Sequence, residues 1–308
     1  MKQGETLAAG TWTGAAVAGV GAPVALILPS ATRFASTAKR LSALAPGHPA
    51  QAWLRFVAQL AGSQHESATS GDSPVSPSRA DVEQAVEQRA APLSGSRNAL
   101  DPSWQRSLQE ILNYLHDHAI PDEARATLES LRGQPKPVLD ALAAAFLEGE
   151  VAVPHIAQTF YVAAALQVHF NRLAAQLPVE ALRLLPQRGL CPCCGSTPLV
   201  GVVTASGRAP GVRYLHCSLC STAWNHVRAV CIHCGEAGKL AQESIEGDTG
   251  LAKAETCGHC GTYSKLLDER VDPGLDPVAD DLASLGLDML VGEAGWSRHA
   301  PNPLVLVA

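Results

Sequence analysis

All nine cysteines of this 308-residue chain fall between positions 191 and 260. They read Cys191-Pro-Cys-Cys194, Cys217-Ser-Leu-Cys220, Cys231-Ile-His-Cys234 and Cys257-Gly-His-Cys260, four C-x-x-C pairs with Cys193 left over. The second two pairs repeat the first two at a constant offset of 40 residues, and each half is C-x2-C-x22-C-x2-C. Thiolates at that spacing are the ligands of a four-sulfur metal site. The neighbours repeat as well: Gly195 matches Gly235 and Thr222 matches Thr262. A glycine after the second cysteine lets the turn adopt positive φ, so that backbone N–H groups can point at the sulfurs. The candidate metal ligands are therefore Cys191, Cys194, Cys217 and Cys220 around one ion, and Cys231, Cys234, Cys257 and Cys260 around another. Nested and interleaved pairings are the rival arrangements. Cys193 is expected to be a spare thiol pointing away from the metal.

Other cysteine chemistry fits less well. Secreted disulfide scaffolds do not cluster C-x-x-C pairs in one quarter of a chain. A thioredoxin-type dithiol needs a single motif opening a helix in a βαβ unit, a context not found here. Four sulfurs in a tetrahedron suit either zinc or mononuclear iron, and spacing does not separate the two, although zinc is the commoner occupant.

Around these modules the pattern is helical. Residues 29–186 carry apolar positions at helical spacing: Phe34, Ala38, Leu41 and Ala45, then Trp53, Phe56, Val57 and Leu60. Ser67–Arg79 has no apolar face and reads as a flexible loop. Asp101-Pro102 predicts a helix start ahead of Leu108, Ile111, Leu112 and Leu115. Helices are further predicted over Pro121–Arg132, Val138–Glu148 and His155–Gln176, the last with a core stripe of Ala157, Phe160, Ala164 and Val168. The expected organisation is a flexible apolar arm at 1–28, a helical domain at 29–186, four-cysteine modules at 187–226 and 227–270, and an acidic C-terminal helix and tail at 271–308. In that last helix Val278, Leu282, Leu285 and Met289 form the apolar face, and Asp280 and Asp281 sit in the first turn, where the helix dipole favours them. The fold class is multidomain α+β.

The helices hold no serine or cysteine nucleophile motif, phosphate loop or H-E-x-x-H sequence. His48, His65, His116, His118, His155 and His169 are scattered and read as surface or satisfied histidines. No catalytic residue is assigned, and a scaffold or binding surface is expected. The net charge of −6 argues against nucleic-acid and anionic-membrane partners. Over residues 186–265 seven basic residues face five acids, an excess that two metal-tetrathiolate centres of charge −2 would erase. The uncharged run Trp12–Leu28 is short and broken by glycines and Pro23, so neither a membrane span nor a signal peptide is expected.

Three linked stretches, Cys191-Pro-Cys-Cys-Gly-Ser196, Leu215-His-Cys-Ser-Leu-Cys220 and Trp224-Asn-His-Val-Arg228-Ala-Val-Cys231-Ile-His-Cys234, resemble the formate dehydrogenase accessory protein FdhE family. The likeness extends to Cys257-Gly-His-Cys-Gly-Thr-Tyr263, Asp280–Asp288, Ala163–Gln167 and the region from Pro29 to Pro49. Cys193 departs from it, since a non-thiol residue is the more usual filler. The resemblance implies a cytoplasmic, non-catalytic maturation factor that associates with the catalytic subunit of respiratory formate dehydrogenase. It also implies rubredoxin-like modules with iron at the two tetrathiolate sites, zinc being possible. Two readings stand beside it: a rubredoxin-like electron-transfer protein, and a zinc-ribbon nucleic-acid binder. Trp224 and Arg228 are either packing residues or interface anchors, a choice that exposure decides.

Overall fold

A computed structural model of the chain describes residues 22–71, 73–95, 100–206 and 210–305. The apolar stripes of the first half form helices α1 (Arg33–Leu44), α2 (Gln51–Thr69), α3 (Arg79–Glu87), α4 (Ser103–His116), α5 (Asp122–Arg132), α6 (Lys136–Glu148) and α7 (Ile156–Ala175). Asp101 starts α4 through its carboxylate, which accepts the Ser103 N–H at 2.8 Å. The polar loop after α2 conceals α3, whose capping box pairs Ser78 with Asp81. Helix α7 is buried on every side from Thr159 to Asn171, not along one stripe, and Ala157 of the expected stripe is exposed. The reason is enclosure: α2, α4, α5 and α6 all pack on it, and the first cysteine module closes its remaining face.

The second half is strand-rich. Strands β1 (Leu26–Ile27), β2 (Pro198–Val203), β3 (Arg213–Cys217), β4 (Ala223–His226), β5 (Leu240–Glu243), β6 (Ala252–Cys257), β7 (Thr262–Asp268) and β8 (Ser297–Arg298) form one sheet in the order β1-β4-β3-β2-β7-β6-β5, with β8 added to β7. Each cysteine module contributes an antiparallel meander, and the parallel pairing of β2 with β7 fuses the two. Residues 1–21 of the expected apolar arm lie outside the described residues, while its end, Leu26–Ile27, is the edge strand against β4. The hydrophobic core runs without interruption from the helices into Cys191, Cys193, Cys194, Cys217 and Cys220.

After β7 the chain turns back over the sheet as α8 (Ala279–Ala283) and α9 (Leu285–Glu293). A single helix with Met289 on its apolar face was the expectation, but the chain breaks at Ser284 (φ −108°, ψ 28°) and Met289 is 68% exposed. The break rotates the second half, so that Leu287 and Val291 enter the core instead. Asp280 and Asp281 are fully buried, and ion pairing explains them better than the helix dipole does. Asp280 takes the Arg40 guanidinium at 2.7 Å, while Asp281 takes Lys265 at 3.0 Å and Arg298 at 2.6 Å. Arg40 thereby ties α1 to α8, and Lys265 ties β7 to α8.

Candidate metal centres

The structure gathers the eight repeated cysteines into two groups. Cys191, Cys194, Cys217 and Cys220 form one and Cys231, Cys234, Cys257 and Cys260 the other, each with its sulfurs within 4.8 Å of one another. The grouping is consecutive along the chain. Each pair sits on a turn built the same way. Cys191 N–H donates to Ser196 O and Gly195 N–H to Cys191 O, both at 2.9 Å, and Cys231 with Glu236 and Gly235 repeats the pattern at 2.9 and 3.1 Å. Gly195 (φ 77°), Gly235 (φ 75°) and Gly261 (φ 72°) supply the left-handed residue that closes the turn. In the remaining turn that position is Ser221, held at φ 63° without the freedom of a glycine. Within that turn the Leu219 and Cys220 N–H groups donate to Cys217 Sγ at 3.4 Å. The Thr222 and Thr262 hydroxyls lie 3.2 and 3.1 Å from Cys220 and Cys260 Sγ.

The two centres differ in burial. All four sulfurs of the first are buried, whereas Cys234 is exposed and Cys260 half-buried in the second. Helix α7 makes this difference: Gln167 Nε2 donates to Ser218 O at 2.9 Å, and Asn171 Nδ2 reaches Cys220 O at 3.5 Å. Leu93 N–H donates to Cys193 O at 2.8 Å from the other side, and Arg33 Nε donates to Ser221 Oγ at 2.6 Å. Cys193 is buried in the shared core and stands outside the four-sulfur group. Beside this centre a cleft of about 320 Å3 opens between Ile27, Arg33, His216, Ser221 and Pro277.

In each group one thiol ionises more readily than its neighbours. Burial pushes Cys191 and Cys220 well up; Cys194 goes the other way, because hydrogen bonds from the Cys191, Cys217 and Cys220 thiols outweigh its own burial. In the second centre burial raises Cys231 to about 12, while against burial the Thr262 hydroxyl and N–H help bring Cys260 down to about 7. One favoured thiolate among three thiols within hydrogen-bonding reach suits a cation that displaces the remaining protons. Four sulfurs, N–H donors at the turns and no carboxylate in either group make a donor set that fits zinc or iron.

Trp224 and Arg228, ambiguous in the sequence, separate here. Trp224 is 1% exposed and its Nε1 donates to Arg188 O at 2.9 Å, so it is a packing residue; Arg228 is exposed and reaches Gly211 O at 3.3 Å. Three contributors were missed in the sequence. Gly189 runs so close to the second module that a Cβ there would lie 2.0 Å from Ile232 O. Arg33 and Ser221 form the contact between α1 and the first module. Ser221 was findable, since the 40-residue offset sets it against Gly261; Arg33 and Gly189 carried no local signal.

A helical layer closed over one mixed sheet that carries two four-thiol groups defines a class: an α+β protein with two sites able to hold metal ions. Family models cover nearly all of it, namely FdhE, N-terminal (residues 22–186), FdhE, central domain (190–228) and FdhE, C-terminal domain (229–305). The chain belongs to the FdhE family. It is 39% identical over 287 residues to a protein FdhE homolog of Edwardsiella ictaluri (strain 93-146), covering 92% of each chain. It is 34% identical over 291 residues to a protein FdhE homolog of Haemophilus influenzae (strain PittEE), covering 93% of each. The crystal structure of the FdhE protein from Pseudomonas aeruginosa superposes with a TM-score of 0.83 at 33% identity, covering 92% of this chain and 99% of that one.

Proposed function

We propose that this protein is a non-catalytic accessory factor in the assembly of respiratory formate dehydrogenase, acting in the cytoplasm by binding the catalytic subunit. The two cysteine groups hold one metal ion each, iron by family resemblance or zinc, in rubredoxin-like modules that support the binding surface. The observation that carries the reading is the pair of four-sulfur groups in one sheet, in a chain of the FdhE family. Four thiolates complete a tetrahedron and leave no position for substrate or water, so the centres support structure and not Lewis-acid turnover. The uninterrupted core between helices and first module makes the metal sites and the helical surface one unit for a partner to read.

The test is a pull-down of the formate dehydrogenase catalytic subunit with the wild-type protein and with Cys191→Ser/Cys194→Ser and Cys231→Ser/Cys234→Ser variants. Binding by the wild type, and its loss in at least one variant, is the expected result; maturation that proceeds normally with both modules disabled overturns the reading. A second reading, one-electron transfer at an iron tetrathiolate, is favoured by a single observation, the exposure of Cys234. Reversible reduction of the iron-loaded protein at a physiological potential distinguishes it.

A further inference from the structure

The repeat that makes the two centres equal in sequence does not make them equal in space. The first is sealed by elements far away in the chain: Gln167 and Asn171 of α7 bond the Cys217–Cys220 turn, Leu93 bonds the Cys191–Cys194 turn, and Arg33 of α1 bonds Ser221. At the second, Cys234 is exposed, Cys260 half-buried, and the turn residues His233, Gly235, Gly258 and His259 all face solvent. The strand beside it, β5, is an edge strand with Ala241, Gln242 and Glu243 exposed. No helix among the described residues bonds the 231–234 or 257–260 turns as α7 bonds the first centre.

Thiolate reactivity and ligand exchange both require an approach path to sulfur. We infer that the two centres divide the work: the first is a permanent structural lock, and the second is an exchangeable site open to soft-donor ligands, with the Cys234 sulfur as its point of entry. This rests on the metal-binding reading above. An incoming thiol gives up its proton as its sulfur bonds the ion, the bond to Cys234 breaks, and the Cys234 thiolate takes the proton. Nothing is oxidised or reduced. Cys257 and Cys231, buried behind the turn, keep the ion in place until a second donor arrives. At the first centre all four cysteines are buried, and Cys217, which borders the cleft beside β1 and α1, is only 3% exposed, so the same approach is closed while the packing of α1, α7 and the module holds.

The full-length protein, loaded with zinc under anaerobic conditions, provides the test. Total zinc is first measured by elemental analysis. Release to 4-(2-pyridylazo)resorcinol is then followed with and without glutathione, and cysteines are mapped by iodoacetamide labelling and peptide mass spectrometry. The expected result is biphasic release, with a fast phase of one equivalent at least about tenfold faster than the slow one, the scale on which supporting contacts change metal retention. Glutathione accelerates the fast phase alone, Cys234 and Cys260 are labelled first, and Cys234→Ser removes the fast phase while the slow one persists. Two equivalents leaving at one rate, or Cys191–Cys220 labelled as early as Cys234, would overturn the inference and leave metal binding intact. Less than one zinc per chain would overturn the metal reading, and the inference with it.

Discussion

Ser221 offers a quantitative test of how the helical layer grips the first centre. It holds φ 63° where the corresponding turn of the other module has Gly261 at φ 72°. A side chain in the left-handed region costs about 1 kcal/mol. Against that cost its hydroxyl accepts the Arg33 Nε–H at 2.6 Å, a bond to a charged donor. Such bonds contribute about 1.5–3 kcal/mol, and the partial burial of both groups places this one near the lower end. Ser221→Ala loses the bond and keeps the strain, so the expected loss is about 1.5 kcal/mol. Ser221→Gly loses the bond and relieves the strain, but loosens the unfolded chain by about 0.5 kcal/mol, leaving a net loss of about 1 kcal/mol. Gly261→Ser introduces strain at a turn where, among the described residues, no atom lies within 4 Å of the new Cβ. Its expected loss is about 0.5–1 kcal/mol, so the exchange destabilises in both directions. Denaturant unfolding of the metal-loaded protein measures all three. A Ser221→Gly variant as stable as the wild type, or more so, would refute the reasoning, because the Arg33 contact would then contribute about 0.5 kcal/mol or less, well below the range for a bond to a charged donor.

Two further outcomes follow from buried charge. Lys265 Nζ lies 3.0 Å from Asp281 and 2.6 Å from Asp288 with no exposure of its own, and Arg298 completes the neutral set, so Lys265→Met strands one negative charge. The expected loss is about 3–5 kcal/mol, read by thermal unfolding and by faster hydrogen exchange in α8 and α9; a loss under about 1 kcal/mol would show that the network is dispensable. His169 is buried, its Nδ1 lies 3.0 Å from Ser103 Oγ, and burial holds its pKa down at about 4. The unfolded chain therefore binds the extra proton first, so stability is full above pH ~6.5 and falls by at most about 3 kcal/mol as the pH drops toward 4. His169→Gln should make the unfolding profile shallower across that window without flattening it, because burial also holds His216, His226 and His299 at about 4; an unchanged profile would assign the acid sensitivity to those groups.

What the sequence alone determined was local and periodic. Ligand type, spacing and the 40-residue repeat are properties of neighbouring residues, so the two sets of four cysteines could be read before any coordinates. Positive φ at Gly195 and Gly235 is equally local, because only the turn's own closure demands it. The helices with clear stripes, α1, α2 and α4, were legible for the same reason. Tertiary structure decided whatever depends on a distant partner. Helix α7 has no single face because five elements surround it, and no pattern within Ile156–Ala175 encodes that. The C-terminal helix breaks at Ser284 because Lys265, a sheet residue, collects Asp281 O, Ser284 O and Ser284 Oγ around its ammonium. Above all, a repeat makes two modules alike in sequence, whereas burial belongs to what packs against them. Gln167, Asn171 and Arg33 reach the first centre and have no counterpart among the described residues at the second, so one set of thiols is sealed in the core while Cys234 and, in part, Cys260 of the other face solvent.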